Sequence, residues 1–266
     1  MANPRIAATA ERLLGAYRDR VAVPPLTDSD PELTLAEAYE IQQTQVKSWL
    51  ATGDRLVGFK VGLTSPQIQR QLGVDSPDFG HLLRSMEYTE AEPLDPSAFI
   101  SPRVEPEIAV VLGRELSGPG VTVREVARAV ESVHAAIEII DSRVADWKIT
   151  LVDTVADNAS SGGFVLGAQS RRLDELTLPT VGCTLSRNGE IVHTGAGGAV
   201  LGNPLHAVAW LANAFGAYGQ SLPAGSVILA GALTAAVPIA AGDQVTATLA
   251  GLGSVTIRVA ETEQNA

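Results

Sequence analysis

Glu105-Pro106-Glu107 opens an apolar run, residues 108–113, IAVVLG. In an extended strand residues i and i+2 point to the same face, so the two carboxylates project together. Two like charges that close repel, and they are costly to desolvate unless a cation lies between them. Glu138 repeats the theme, because it interrupts the otherwise apolar stretch AAIEII at residues 135–140. Three carboxylates with no His or Cys at ligand spacing describe a hard oxygen-donor site suited to Mg2+ or Mn2+. The same pattern also fits a solvent-facing Glu105/Glu107 edge with Glu138 in an ordinary salt bridge. The motif alone leaves both open.

Lys60 sits in GFKVG, a charge inside an apolar, glycine-flanked strand. It is either an anchor whose stem runs out to the surface or a cation aimed at an anionic group in a cleft. Asp78, in SPDFGHLL, is placed in a turn after a helix; Asp in a Pro-containing turn either caps backbone or does acid–base chemistry. His81 nearby is no better defined. Between two apolar segments lies the polar block of residues 140–161, IDSRVADWKITLVDTVADNASS. Its Arg143, Lys148, Asp153, Asp157, Asn158 and Ser160 form a lid, a floor or a salt-linked loop, and spacing assigns none of them a role; the same holds for Thr234. The glycine-rich TGAGGAVLGNP has neither G-K-[ST] nor G-x-G-x-x-G, so it gives no support to nucleotide binding.

The elements that must position these residues can be read from periodicity. Residues 4–20 form an amphipathic helix with Ile6, Leu13, Leu14 and Tyr17 on one face. Thr34 with Glu37 is a capping box for a second helix through Leu50. A strand is expected over residues 55–64, then a short helix with Ser65 as cap, Pro66 at its first position and Gly73 at its end. Residues 104–113 form a strand and residues 122–135 a helix capped by Thr122. Strands follow at residues 136–141 and 162–167. A hairpin turns at Asn188-Gly189, and a strand is expected at residues 226–231. Asn203-Pro204 starts a helix to about Phe215, and two alternating strands close the chain around a Gly-rich turn. The pattern is α+β: a β-rich core of mixed sheets with an N-terminal helical segment. Residues 1–52 are expected to be that segment and residues 53–266 the catalytic domain.

The chain has 266 residues, 45% of them hydrophobic and 18% charged, enough for one sizeable core. A formal net charge of -11 argues against a nucleic-acid partner and against anionic membrane surfaces. Cys183 is the single cysteine, so no intramolecular disulfide and no thiolate cluster can form. Residues 1–20 contain Glu11 and Arg12 and lack a signal peptide's apolar run, which fits a cytoplasmic enzyme. Residues 191–242 contain no Asp, Glu, Lys or Arg. Gly and Pro break this stretch into short pieces, so it reads as buried core plus a subunit interface, not as a membrane span.

Four segments together resemble the 2-keto-4-pentenoate hydratases, members of the fumarylacetoacetate-hydrolase-like superfamily: residues 58–82, GFKVGLTSPQIQRQLGVDSPDFGHL; 103–112, RVEPEIAVVL; 138–167, EIIDSRVADWKITLVDTVADNASSGGFVLG; and 242–255, GDQVTATLAGLGSV. The resemblance runs over nearly the whole chain. It implies a distorted, mostly β core in a homo-oligomer, with Mg2+ or Mn2+ on Glu105, Glu107 and Glu138. It implies Lys60 and Asp78 as the active-site lysine and acid–base carboxylate. The implied activity is hydration of 2-hydroxypenta-2,4-dienoate to 4-hydroxy-2-oxopentanoate, in pathways that degrade aromatic compounds or steroids. Carbon–carbon hydrolysis, which uses a His–Glu pair in this superfamily, finds no His in a matching context. PDFG at residues 77–80 is similar to the hydratases, whereas AGALTAAVPIAAGD at residues 230–243 is similar to the 4-oxalocrotonate decarboxylases, which keeps decarboxylation as the alternative. A non-catalytic partner subunit in a complex of pathway enzymes is a third reading, against which Lys60 and Asp78 weigh.

Overall fold

The computed structural model describes residues 3–261. Residues 1–2 and 262–266, the outer ends of the two expected segments, lie outside the described residues.

Three helices lead. Helix α1 (Pro4–Asp19) starts at Asn3, whose side chain accepts from Arg5 N, with Pro4 at its first position. After the short α2 (Leu26–Ser29), α3 (Leu35–Ala51) starts on the expected capping box. Ile6, Leu13, Leu26 and Ile41 pack together with Val155 and Ala156, so the helices share a cluster with a segment a hundred residues later. Two glutamine amides bolt α3 down: Gln42 Nε2 donates to Phe79 O and Val155 O, and Gln45 Nε2 to Ala156 O.

The chain then enters a large sheet through β1 (Leu56–Gly62). Helix α4 (Pro66–Leu72) follows, closed by Gly73 in the left-handed region, and then β2 (Asp78–Leu83) and β3 (Glu87–Tyr88). Asp78 is therefore the first residue of a strand and not a turn residue; its carboxylate belongs to a sheet face instead of capping backbone. The next strand is β4 (Arg103–Leu112), followed by α5 (Val123–Ala129) and β5 (Val130–Ile140). Thr122 does form a capping box with Glu125, but the helix expected to residue 135 stops at Ala129. The ten residues of β4 need a partner along their whole length, and Val130 through Ile140 supply it. Ladder pairing overrides the local helical pattern there.

Helix α6 (Leu151–Ala156) and β6 (Ser161–Arg171) come next, then the hairpin β7 (Gly182–Arg187) and β8 (Glu190–Ala196), turning on Asn188 and Gly189 as expected. Helix α7 (Pro204–Gly216) precedes β9 (Val227–Ala232), β10 (Val237–Pro238), β11 (Gln244–Leu249) and β12 (Gly253–Arg258). The large sheet has the order β2-β1-β9-β4-β5-β6-β3, with β10 beside β4; the smaller one is β12-β11-β7-β8. Of the large sheet's pairs, β1 with β9 and β3 with β6 are parallel.

Alternation divides the large sheet into two faces. Val104, Ile108 and Val110 of β4 and Val133, Ala135 and Ile137 of β5 pack on the small sheet and on Leu205, Val208, Leu211 and Phe215 of α7. Much of the uncharged stretch at residues 191–242 is spent in this core. The other face is lined by Ala109, Ala136 and Leu229, and the sheet curls until Leu82 of β2 meets Phe164 of β6 in one cluster. All the candidate carboxylates lie on this concave side.

The polar block of residues 140–161 is a floor built on an ion pair. Arg143, 1% exposed, donates from its backbone N to Asp157 Oδ2 at 2.9 Å and from Nε to Asp157 Oδ1 at 2.6 Å. Its guanidinium stacks on Tyr17, 4.0 Å from the ring centroid, and so ties α1 to the block. Thr150 caps α6, with Asp153 accepting from Thr150 N in the capping box and also from Leu26 N and Thr27 N; Lys148 lies exposed beside Asp146. Removing one partner of a fully buried pair strands the other charge, at a cost of about 3–5 kcal/mol. Asp157→Ala should therefore lower the unfolding free energy by about that amount in urea titrations. A loss below about 1 kcal/mol would show that Arg143 finds another partner.

Candidate active site

The site begins with the E-P-E segment. Strand β4 is interior to the sheet, and a proline there lacks a ladder donor. The structure accommodates Pro106 by splitting the neighbouring edge. Strand β9 pairs with residues 107–111 of β4 and β10 with Arg103 and Val104, which leaves residues 105–106 between them. Only Leu233 N reaches in, donating to Pro106 O. Glu105 at this gap is half-buried, while Glu107 beside it is 1% exposed.

Strand β5 brings the third carboxylate. Glu138 lies directly opposite Glu105 in the antiparallel register, where like charges are destabilising if nothing separates them. One ligand oxygen from each of Glu105, Glu107 and Glu138 lies within 4.8 Å of the others. Around an octahedral ion with oxygens at about 2.1 Å, neighbouring ligands stand about 3 Å apart and opposite ones about 4.2 Å apart. The three groups fit such an ion with small movements. Glu107 is fixed in place, for its Oε2 accepts from Gly231 N at 2.7 Å.

Lys60 and Asp78 complete the constellation. Lys60 Nζ stands 3.1 Å from Glu138 Oε1, and both side chains are almost fully buried. Three strand spacings separate β1 from β5, about 14 Å in a flat sheet, so this contact exists only because the sheet curls. Asp78 and Lys60 are diagonal neighbours on β2 and β1, with Gly62 opposite Asp78 and Gly80 opposite Lys60. A Cβ on Gly62 would stand 2.1 Å from Asp78 Oδ1, so the glycine leaves room for the carboxylate, whose Oδ1 has no hydrogen-bond partner.

Asn158 holds the outer edge of β2, where its side chain acts as a neighbouring strand would. Its Oδ1 accepts from His81 N at 2.8 Å and its Nδ2 donates to His81 O at 2.9 Å. The close approach needs Gly80, since a Cβ there would lie 2.5 Å from Asn158 O. Asn158, Ala159 and Ser160 all adopt positive φ, each at a cost of order 1–3 kcal/mol that the Arg143–Asp157 pair and the hydrogen bonds must overcome. His81 itself faces away from the carboxylates, among Phe59, Phe79 and Phe215. Burial pushes its imidazole down to about 4, so it is a neutral core residue and not part of the constellation.

Charge balance decides what this arrangement can do. Burial alone would lower the Lys60 ammonium, but Glu138, Asp78, Glu105 and Glu107 together hold it above its ordinary value. Burial raises Asp78, with Lys60 opposing. Burial and then Glu138 push Glu105 up to about 7, and Glu107 is raised well above 4.5 by burial, Glu138 and Glu105. Lys60 and Glu138 attract with a gross energy of about 5 kcal/mol at an effective dielectric of 20, while desolvating each ion costs several kcal/mol. One ammonium cannot offset three buried carboxylates and a fourth that is half-buried. Either protons or a divalent cation must make up the difference.

Lys60, Asp78, Glu105, Glu107 and Glu138, the residues implied by the family resemblance, thus meet on one face of the sheet. Reading the sequence left Asn158 without a role and did not single out Arg103, which precedes Glu105 by two residues on the same face; that spacing was the available signal.

The family model for the fumarylacetoacetate (FAA) hydrolase C-terminal region matches residues 88–260. A 2-hydroxyhexa-2,4-dienoate hydratase of Comamonas testosteroni is 45% identical over 258 residues, 96% of this chain and 98% of that protein. A 2-keto-4-pentenoate hydratase of Paraburkholderia xenovorans (strain LB400) is 45% identical over 256 residues, covering 96% and 95%. The solved structure of 4-oxalocrotonate decarboxylase from Pseudomonas putida G7, complexed with magnesium and adipate, is 39% identical with a TM-score of 0.95, covering 97% of this chain and 98% of that one.

The raised carboxylates carry a pH signature. A carboxyl whose folded value lies above its unfolded one stabilises the fold at low pH, and that stability is lost as pH rises through the folded value. For Glu105 the window runs from 4.5 to about 7. A divalent cation competes with those protons, so the rise in melting temperature produced by Mg2+ should grow from pH 5 to pH 8. The comparison with and without Mg2+ cancels His81, whose lowered value acts in the opposite sense. A magnesium effect that stays constant over this range would exclude these carboxylates as ligands.

Proposed function

Because the chain belongs to the 2-keto-4-pentenoate hydratase family of the fumarylacetoacetate-hydrolase-like superfamily, we propose that it is a divalent-metal-dependent hydro-lyase that adds water to 2-hydroxypenta-2,4-dienoate or a close homologue. The product is the 4-hydroxy-2-oxo acid, in meta-cleavage catabolism of aromatic compounds or steroids. The observation that carries this reading is the set of four carboxylates, three of them buried and Glu105 half-buried, facing a single ammonium on the concave sheet face. Glu105, Glu107 and Glu138 would hold Mg2+ or Mn2+, in keeping with the magnesium of the decarboxylase complex. When bound, that ion supplies an electron sink for the substrate's 2-oxygen.

The chain's own groups move the protons. Asp78 accepts the enol proton at the C2 oxygen and delivers one to the terminal carbon, C5, which leaves an enone. It then takes a proton from the water that attacks C4 and returns it at C3, so one water is added and no proton is lost. Burial raises the Asp78 carboxyl, which strengthens it as a base. Lys60 keeps its proton throughout, because the surrounding carboxylates favour the ammonium, and it donates to the oxygen on which negative charge develops. Lys60, Asp78, Glu107 and Glu138 are buried from water, and Glu105 is half-buried.

The alternative, decarboxylation of 4-oxalocrotonate, is favoured by the TM-score of 0.95 to that enzyme. Loss of CO2 uses the same electron sink but needs no base to activate water. Among the described residues no helix is long and apolar enough to cross a membrane. We place the protein in the cytoplasm as a homo-oligomer that associates with other pathway enzymes. Uncharged residues that face outward, such as Ile191 and Tyr218, support an interface.

Lys60→Ala should lower kcat by about 10²-fold, and Lys60→Arg should not restore it fully, since a guanidinium has a different shape. Wild-type rates in Lys60→Ala would reduce the lysine to a charge balance for Glu138. Asp78→Asn should cut hydration by about 10²–10⁴-fold while Mg2+ affinity stays. Purified protein with Mg2+, offered the dienoate and 4-oxalocrotonate separately, decides between the two chemistries: faster CO2 release than hydration overturns the hydratase.

A further inference from the structure

Arg103 and Glu105 stand two residues apart on β4, so their side chains share the carboxylate face. Both are only half-buried, whereas Glu107 and Glu138 are each 1% exposed; this gradient marks the mouth of the site. The other cations nearby are engaged, Lys60 by Glu138 at 3.1 Å and Arg143 by Asp157 at 2.6 Å. Among the described residues Arg103 has no carboxylate within ion-pair distance; its guanidinium carbon lies 4.4 Å from the centroid of the Trp147 ring.

The support beneath Arg103 is held under strain. Asp146 and Trp147 adopt φ of 57° and 56°, and a bulky aromatic residue in the left-handed region is a true outlier. Each such residue costs of order 1–3 kcal/mol. Two anchors hold the loop in that state. Trp147 Nε1 donates to Ser101 O at 3.0 Å, and Ala145 N donates to Val23 O at 2.9 Å. Ser101 lies just before β4, so the indole is tied to the strand that carries Arg103. A guanidinium resting on an aromatic ring keeps its N–H edge free for a planar anion and loses little freedom on binding one.

We propose that Arg103, braced by Trp147, is a substrate-binding residue that takes the carboxylate of the small anionic substrate in a two-pronged pair at the mouth of the cluster. This rests on the reading of the cluster as a metal site for a 2-oxo or 2-enol acid. It assigns to Arg103 the anchoring that Lys60, committed to Glu138, does not perform. The loss expected on removing such a charge-assisted pair shows in binding and KM, because the pair forms before the chemistry and persists through it.

The test separates the two readings by calorimetry. Mg2+ is titrated alone, and oxalate is then titrated into Mg2+-saturated protein. Arg103→Gln should weaken oxalate by tenfold or more and raise KM for the dienoate comparably, with kcat changed only a few-fold and Mg2+ affinity within twofold of wild type. Arg103→Lys should recover part of the oxalate affinity, as a point charge without the fork, and Trp147→Leu should lose part of it. Oxalate affinity within twofold of wild type in Arg103→Gln overturns the proposal. So does a loss of oxalate binding that only tracks a loss of Mg2+ binding. Failure of the wild type to bind Mg2+ would instead remove the metal reading, and the subsite with it.

Discussion

Three buried carboxylates and a fourth, half-buried one, gathered around one ammonium, are the constraint on which this structure depends. Asp78, Glu107 and Glu138 are each at most 2% exposed, and Lys60 is 5% exposed. An arrangement of this kind is unfavourable as it stands. Desolvation costs several kcal/mol per ion, and a single pair at 3.1 Å recovers only part of that. The rest of the fold is organised to hold the groups together despite their repulsion. The apolar face of the large sheet, packed on the small sheet and α7, supplies the stability, and the concave face spends some of it.

Three devices turn the sheet into a site. Curling brings β1 within reach of β5, so that Lys60 touches Glu138 across two intervening strands. Pro106 interrupts the ladder along β4, between the residues that pair with β9 and those that pair with β10, next to the half-buried Glu105. Asn158 grips His81 and fixes β2, and through it Asp78, from outside the ladder. Non-glycine backbone in the left-handed region lies beside Asn158, at residues 158–160, and under Arg103, at Asp146 and Trp147; it also occurs at Arg20, Leu63, Asn188 and Leu201. Local strain is tolerated where surrounding contacts over-determine the geometry, which is what the Arg143–Asp157 pair and the Trp147–Ser101 bond accomplish.

Hydration and decarboxylation in this family draw on the same electron sink, so the carboxylate cluster cannot distinguish them; the identities of 45% to hydratases and 39% to a decarboxylase reflect that kinship. The distinction must come from groups that handle water and from groups that read the substrate's charge. Asp78, raised by burial and lying over Gly62, is the group we propose for the first kind. Arg103, on its tryptophan, is of the second.

The sequence by itself determined the helical front, the mixed β core and the pairing of Glu105 with Glu107, because two-residue alternation, capping boxes and the Asn188-Gly189 turn are local signals. Glu138 and Lys60 were legible as charges inside apolar strands, and resemblance to a family turned them into a site. Asp78 was recognised as a candidate but placed in a turn, since nothing local shows that residues 78–83 pair with β1. The helix at residues 122–135 was overdrawn for the same reason: only β4, lying alongside, makes residues 130–135 a strand. Tertiary structure alone decided that Glu138 faces Glu105, that Lys60 reaches Glu138, and that Asn158 and Trp147 brace their neighbours. Register and curvature join residues far apart in the chain, and a pattern that repeats every two or four residues carries no record of them.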